Sequence, residues 1–328
     1  MRFQSIMDFL ERFNSNFVVL LCHHNADPDA ICSAYTFSQV LRKIKPDLKI
    51  EIAAQGLSKL SKQILGTLPI DVNMSPRIEE AEVIFLIDTS TLKQLDDWMK
   101  RIENTGKKLI LIDHHPLHPQ TKNQAALCII DDKASSTCEI IFELSKEAKV
   151  RLNRIEAQAL FLGIIFDTKH FTIANSNTFK VAAELVNCGA SAEEALSTLS
   201  LPMTSSERIA RLKAANRLRI YRIGKWLLTV SHTGSYQASA ARGLLSLGTH
   251  VAVVGGIKKG ILRISMRSSN EFYITTGIHL GNDIAKPLGN HVQGIGGGHS
   301  TSAGFNGEGD LEVALRECFK LIKKSLKN

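Results

Sequence analysis

Along the first 200 residues, short apolar runs rich in β-branched side chains alternate with segments long enough to be helices. The runs are Phe17 to Cys22, Ile50 to Ala53, Val83 to Ile87 and Lys108 to Ile112. Strands separated by helices predict an α/β fold with a mainly parallel sheet, because parallel neighbours need a crossover and a helix usually supplies it. VIFLI and LILI are apolar at every position, as expected of strands covered on both faces. A helix head is predicted at Ser136, three residues before Glu139, and another helix runs from about Ile155 toward Phe166.

The pattern changes further along. Residues 207 to 225 carry seven basic side chains and one acidic, and at 100° per residue Ile209, Leu212, Ile220 and Ile223 form one stripe with Arg208, Arg211, Arg219 and Arg222 beside it. This predicts an amphipathic connecting helix. Its charges are explained as a solvated face, or more sharply as a rail for a nucleic-acid strand. From Trp226 a smaller α/β unit follows: strands, a helix ending near Gly248, a hairpin across Val251 to Ile264, a glycine-rich segment and a Lys-rich final helix. The expected organisation is a catalytic domain over 1–195, a basic helical linker over 196–225 and a substrate-binding domain over 226–328. No internal repeat or low-complexity tract interrupts it.

The chain has 328 residues, more than one core usually serves, which agrees with two domains. No window reaches the run of about 20 apolar residues that a membrane span needs. The opening MRFQSIMDFLERF carries acidic residues that spoil a targeting peptide, so the cytoplasm is the expected location. Six cysteines lie singly in apolar segments, at 22, 32, 128, 138, 188 and 318, without a CxxC pair; they are expected to be reduced core residues. Forty Lys and Arg against 32 Asp and Glu give a formal charge of +8, which favours polyanionic partners.

Four polar clusters stand where strands or helices end: His23, His24, Asn25, Asp27 and Asp29; then Asp88; then Asp113, His114 and His115; and Asp167. In an open parallel sheet the carboxyl ends of strands share one edge, where ligands bind, so these clusters should converge. Several carboxylates in one partly buried place repel one another unless cations accompany them. Oxygen and imidazole donors without thiolate suit Mn2+ or Mg2+, with Zn2+ still compatible. The number of ligands is more than one ion needs. Two ions about 3.5 to 4 Å apart can generate hydroxide and stabilise an in-line displacement at phosphorus. Singly, an Asp after a strand is more often a cap and a lone His more often structural; the ordered recurrence is what carries the reading.

At these residues the sequence resembles the DHH phosphoesterase family. HHNADPDA at 23 to 30, LIDTS at 86 to 90, IDHH at 112 to 115 and GIIFDT at 163 to 168 are similar to its four motifs, in order. GGGHSTSAGF at 296 to 305 and ISMRSS at 264 to 269 resemble the DHH-associated substrate-binding domain as it occurs in the nanoRNase and 3'-phosphoadenosine-5'-phosphate (pAp) phosphatase branch. The resemblance implies a first metal held by His23, Asp27 and Asp88 and a second held by Asp29, Asp88, His114 and Asp167, with Asp88 bridging. It also implies that His115 contacts phosphate or the leaving group, that Asp113 orients the adjacent histidines, and that Arg267, His299 and the backbone of Gly296, Gly297 and Gly298 bind substrate. Asp88, Asp113, His114 and His115 would form the catalytic group. His24, His118, His170 and His279 are not expected to be ligands. Lys169 and His170 depart from the family, which often has Gly after Asp-Thr.

The implied function is a two-metal, Mn2+-dependent phosphodiesterase or phosphatase that cleaves short oligonucleotides to mononucleotides, with pAp or linear dinucleotides as related substrates. The alternative is a RecJ-like exonuclease on single-stranded DNA or RNA, working with a DNA-processing partner. A non-catalytic replication scaffold, the reading from a different class, conflicts with the full ligand set. Manganese pyrophosphatases carry a basic Ser-Arg-Lys-Lys signature in place of GGGH. A homodimer is compatible with the sequence, and no membrane is expected as a partner.

Overall fold

In a computed structural model, residues 2–116, 118–200 and 203–327 are described, and the chain divides into two compact units, 1–201 and 202–328. In the first unit the elements are α1 (Arg2–Arg12), β1 (Phe17–Cys22), α2 (Pro28–Ile44), β2 (Lys49–Ala54), α3 (Lys59–Leu65), β3 (Val83–Ile87), α4 (Trp98–Thr105), β4 (Lys108–Asp113), α5 (Pro119–Gln124), β5 (Ala125–Ile130), α6 (Thr137–Glu147), α7 (Arg154–Asp167), α8 (Ser176–Asn187) and α9 (Ala192–Leu199). The strands form one parallel sheet in the order β2-β1-β3-β4-β5. Every residue of β1 and β3 is buried, as the continuous apolarity of these runs requires. Alternate strand residues point to opposite faces. Val18, Leu20, Phe85 and Ile112 face a layer that includes α1, α2, α6 and α7, while Val19, Leu21, Leu86 and Leu111 pack with Leu92, Leu95, Trp98 and Ile102.

The edge strand β5 was not apparent from the sequence. Its run AALCII is apolar throughout but follows α5 directly with no turn residues between them, and as an edge strand it is mostly half-buried, with a register shift against β4 at Leu109/Ile110. Helix α7 is apolar almost all round, with Ala157 to Ile165 buried, because it lies inside the helical layer. Its start is fixed by a full capping box between Asn153 and Glu156. At α6 the expected box is half made: Ser136 accepts from the Glu139 amide, whereas Glu139 accepts from Asn177 Nδ2 instead of returning to the cap.

The second unit contains α10 (Ser205–Asn216), β6 (Arg219–Ile223), β7 (Trp226–His232), α11 (Gln237–Ser246), β8 (Val251–Lys258), β9 (Ile261–Ser268), α12 (Asn270–Thr276), a π-helical turn (Leu280–Ala285), α13 (Lys286–Leu288), β10 (Gly294–Gly298), β11 (Ser302–Gly307) and α14 (Leu311–Ser325). Its mixed sheet runs β10-β11-β9-β8-β7-β6. The basic segment 207–225 is not one helix: it comprises most of α10, which ends at Asn216, and the strand β6. Period-2 alternation in RIYRI pairs with Trp226 to Val230 across a turn at Gly224, whose φ of +57° favours glycine. Among the described residues no helix is long and apolar enough to cross a membrane.

Gly163 on α7 shows how closely the helical layer is packed. A Cβ there would collide with Cys138 Sγ and come within 3.0 Å of Asp29 Oδ1. Gly163→Ala is therefore expected to cost about 1–3 kcal/mol, the usual range for overpacking, and to lower the melting temperature followed by circular dichroism. Adding Cys138→Ala should restore part of the loss; equal melting of the wild type and the single variant would contradict this packing.

Candidate metal centre and phosphate subsite

The carboxyl edge of the parallel sheet gathers the four sequence clusters. His23 follows β1 directly, and Asp27 is the N-cap of α2, accepting from the Ala30 amide at 3.2 Å, so the ordinary capping role and the site role coincide. Asp29, in the first turn of α2, is completely buried. Asp88 follows β3 with φ +53°, a left-handed conformation that Asp tolerates better than most residues and that turns the chain sharply at the strand end. Asp113 is the last residue of β4, and Asp167 the last of α7.

Asp88 is the centre. Its Oδ1 lies 3.7 Å from His114 Nε2 and 3.6 Å from His115 Nδ1, and its Oδ2 lies 3.8 Å from His23 Nε2. Three sets of side chains bring one ligand atom each within 4.8 Å of the others: His23, Asp27 and Asp88; Asp88, Asp113, His114 and His115; and Asp29, His114 and Asp167. His114 Nε2 is buried between two carboxylates, 3.1 Å from Asp167 Oδ2 and 3.7 Å from Asp88 Oδ1, without an aligned hydrogen bond to either. Two donors that converge without bonding each other suit a shared cation.

Electrostatics point the same way. Burial first, then the charges of Asp27, Asp113 and Asp167, raise the Asp88 carboxyl to about 7, with His114 opposing. Burial and then Asp88 and Asp167 push Asp29 well above the usual carboxylate range, although Asp29 accepts the amides of Thr137 and Cys138 at 2.7 and 2.9 Å. His23 rises to about 9: burial opposes protonation, but the Asp27 carboxylate and the His24 carbonyl outweigh it. Asp27 is lowered, because the same histidine and the backbone amides outweigh its burial. His114 is raised by Asp167 and Asp88 against its burial. The nearby Cys138 thiol is pushed up by burial and then by Asp29, so it stays protonated and contributes no thiolate. An oxygen-rich donor set with two buried, mutually repelling carboxylates fits divalent cations.

Asp113 engages His115 through two contacts from one oxygen, to the backbone N–H at 2.9 Å and to Nδ1 at 2.8 Å. It makes no hydrogen bond to His114, and its buried Oδ2 has no partner. The second histidine is therefore the one it orients, and its side chain is half exposed. Sequence reasoning missed Thr137. Its hydroxyl donates to Asp88 Oδ1 at 2.9 Å while its amide serves Asp29, so the head of α6 steadies two carboxylates at once. A signal was present in the Ser-Ser-Thr before an apolar helix, but only as a cap. His24 turns instead to Asp96, at 3.2 Å. His279 caps the π-helical turn. Lys169, His170 and Phe171 form a turn of three consecutive left-handed residues just after Asp167.

In the second unit, Arg267 on β9 is paired across the sheet with Ser302, and the His299 amide donates to the Ser302 carbonyl at 2.7 Å. The sheet thus brings Arg267 and His299 into one row. The Arg267 guanidinium donates to its neighbouring Met266 carbonyl. The three glycines are not equivalent: a Cβ on Gly296 would strike the Ala285 carbonyl, Gly298 has φ +141°, and Gly297 has nothing within 4 Å of a Cβ.

Residues 17–164 match the model of the DHH family, N-terminal domain. An uncharacterized protein of Methanocaldococcus jannaschii is 33% identical over 321 residues, covering 96% of this chain and 94% of its own. The bifunctional oligoribonuclease and PAP phosphatase NrnA of Bacillus subtilis is 30% identical over 187 residues, 56% of each chain, so this chain spans about half of that relative's length. An exopolyphosphatase-related protein from Bacteroides fragilis has the same fold, with a TM-score of 0.63 at 18% identity, over 99% of this chain and 96% of the other. The chain belongs to the DHH family of metal-dependent phosphoesterases and is a hydrolase of phosphate esters.

The unfolded chain releases the Asp88 proton near pH 4 and the His23 proton near 6.5, whereas the folded protein holds them to about 7 and about 9. Both groups therefore bind more protons in the folded state, so each makes stability fall as pH rises, over about 4 to 7 for Asp88 and 6.5 to 9 for His23. With chelator present, the melting temperature should decline from about pH 5 to 9, and Mn2+ should flatten the decline. Since ligands bind deprotonated, titration calorimetry near pH 7 in buffers of different ionisation enthalpy should show release of about one to two protons. A binding event with no proton release would contradict the assigned ligands.

Proposed function

We propose that the chain is a Mn2+-dependent phosphodiesterase that hydrolyses short oligonucleotides to mononucleotides, with pAp or linear dinucleotides as related substrates. The observation that carries this reading is Asp88, a buried carboxylate shared by two of the three ligand sets. His23, Asp27 and Asp88 would hold one cation, and Asp29, Asp88, His114 and Asp167 the other. When bound, the ions supply an activated water and positive charge beside the phosphoryl group. Thr137 holds one oxygen of Asp88, so the carboxylate presents the other at a set angle. His115, tied to Asp113 through Nδ1, has its other nitrogen directed to phosphate or the leaving oxygen and is half exposed, as a proton-handling group needs to be. Arg267 and His299 take up a substrate phosphate in the second unit, where the guanidinium neutralises charge.

The name of the Bacillus relative supports the choice of short oligonucleotides and pAp. The basic segment that favoured longer strands is divided, and several of its cations are engaged: Arg219 pairs with Glu312 at 3.0 Å, Arg211 donates to Ser239 at 2.8 Å, and Arg208 and Arg222 donate to backbone carbonyls. A cytoplasmic location suits these substrates.

Asp88→Ala should reduce kcat by about 10²–10³-fold or more, whereas Arg267→Ala should chiefly raise KM, about tenfold for one lost charge-assisted contact. The assay compares 5'-labelled dinucleotides, long single-stranded DNA and RNA, and pAp in Mn2+. Dinucleotides cleaved far more slowly than long strands would reverse the substrate order, and full activity of Asp88→Ala would refute the shared ligand.

A further inference from the structure

The second unit's sheet has two unlike faces. On one, Leu262, Ile264, Met266, Ala303 and Phe305 enter the apolar core with α14. On the other, α10 and α11 cover the β7–β8 half through Ala214, Ala240, Leu244, Ala252 and Val254. Helix α11 also lies against β9, and beyond it the face over β11, β10 and the exposed Arg263 of β9 is open; the register arranges its side chains in three rows. Arg267, Ser302 and His299 form the first. Ser265, Gly304 and Gly297 form the second, and Arg263, Asn306 and Ile295 the third.

Several features of these rows are unexplained by folding. Arg263 and Asn306 are exposed, and Ile295 keeps 83% of its surface in water. Neither arginine has a carboxylate partner among the described residues, and no acidic side chain stands in any row. Arg267 is held below its ordinary pKa by burial and then by the Arg242 cation, so positive charge is concentrated where nothing in this unit offsets it. The middle row is a flat floor without packing cause: a Cβ on Gly304 would meet only the Ile264 carbonyl at 3.6 Å, and one on Gly297 nothing. Glycine there leaves room for something that approaches the sheet.

We propose that this open face is a strand-length subsite: a phosphate seated in the Arg267 row continues over the glycine floor, and the next nucleotides are taken by Arg263, Asn306 and Ile295. Residues four apart on a strand are separated by about 13 Å. A stacked single strand advances about 3.4 Å per nucleotide, and further when splayed, so the two arginines span about two to four nucleotides. Arg263 contacts a phosphate beyond the first, Asn306 offers amide hydrogen bonds to a base edge, and Ile295 gives an apolar surface for a base. The enzyme therefore favours tri- and tetranucleotides over dinucleotides. This deepens the short-oligonucleotide reading and rests on it.

The test uses the full chain. With chelator present, fluorescence polarisation of labelled di- and tetranucleotides gives a binding ratio, and kcat/KM in Mn2+ gives a turnover ratio. The tetranucleotide is expected to be favoured about tenfold, one charge-assisted contact's worth. Arg263→Ala should bring the ratio close to one and lower the salt slope of tetranucleotide binding by about 0.7, one single-strand phosphate contact. Gly304→Val, which raises a side chain from the floor, should do the same to the ratio with the melting temperature kept, and Lys324→Ala on α14 should leave the ratio alone. A ratio and slope unmoved by Arg263→Ala, or a wild type that does not distinguish the two lengths, overturns the proposal. If no nucleotide is hydrolysed, the phosphodiesterase reading fails, while the polarisation ratio still decides whether the face binds a strand.

Discussion

Asp29 and Asp88 are taken out of water beside Asp27, Asp113 and Asp167, and the first unit is organised around the repulsion this creates. Buried carboxylates persist only where hydrogen bonds or cations offset the lost hydration. The fold supplies part of that offset. The head of α6 gives two amides to Asp29 and the Thr137 hydroxyl to Asp88, and three imidazoles surround Asp88 within 3.8 Å. The remainder is left to cations, whose charge inverts the local logic: groups that repel in their absence become a chelating set.

That requirement explains features that otherwise look incidental. Helix α7, apolar almost all round, lies inside the helical layer and carries Asp167 as its last residue, and Gly163 keeps its packing against Cys138 and Asp29 close. The left-handed turn at Asp88 re-aims a strand end so that both carboxylate oxygens point into the cluster. Parallel pairing of β1, β3 and β4 brings His23, Asp88 and Asp113 to the same edge.

The second unit solves a different problem. One sheet face is sealed by apolar side chains, and part of the other stays open and positively charged. The glycines of its signature have separate reasons: Gly296 yields to the Ala285 carbonyl, Gly298 needs its positive φ, and Gly297, like Gly304, leaves space. A glycine-rich motif in a sequence does not distinguish these cases, because the neighbours that decide are distant in the chain.

Much was legible in the residues alone. Unbroken apolar runs announced β1, β3 and β4, and polar clusters at their ends announced the centre, since burial on both faces and ligand placement at strand ends are local consequences of a parallel sheet. Edge strand β5 is an apolar run as well, but it follows α5 without a turn and so was not set apart, and the helical stripe expected over 207–225 holds along α10 to Asn216 and fails beyond it, where tertiary pairing makes β6. Thr137's double role, the choice of His115 over His114 by Asp113, and the rows that join Arg263 to Asn306 and Ile295 were decided by tertiary structure. Residue type sets what a side chain can donate or accept; which partner it meets depends on register and helix docking, set by the packing of the whole unit.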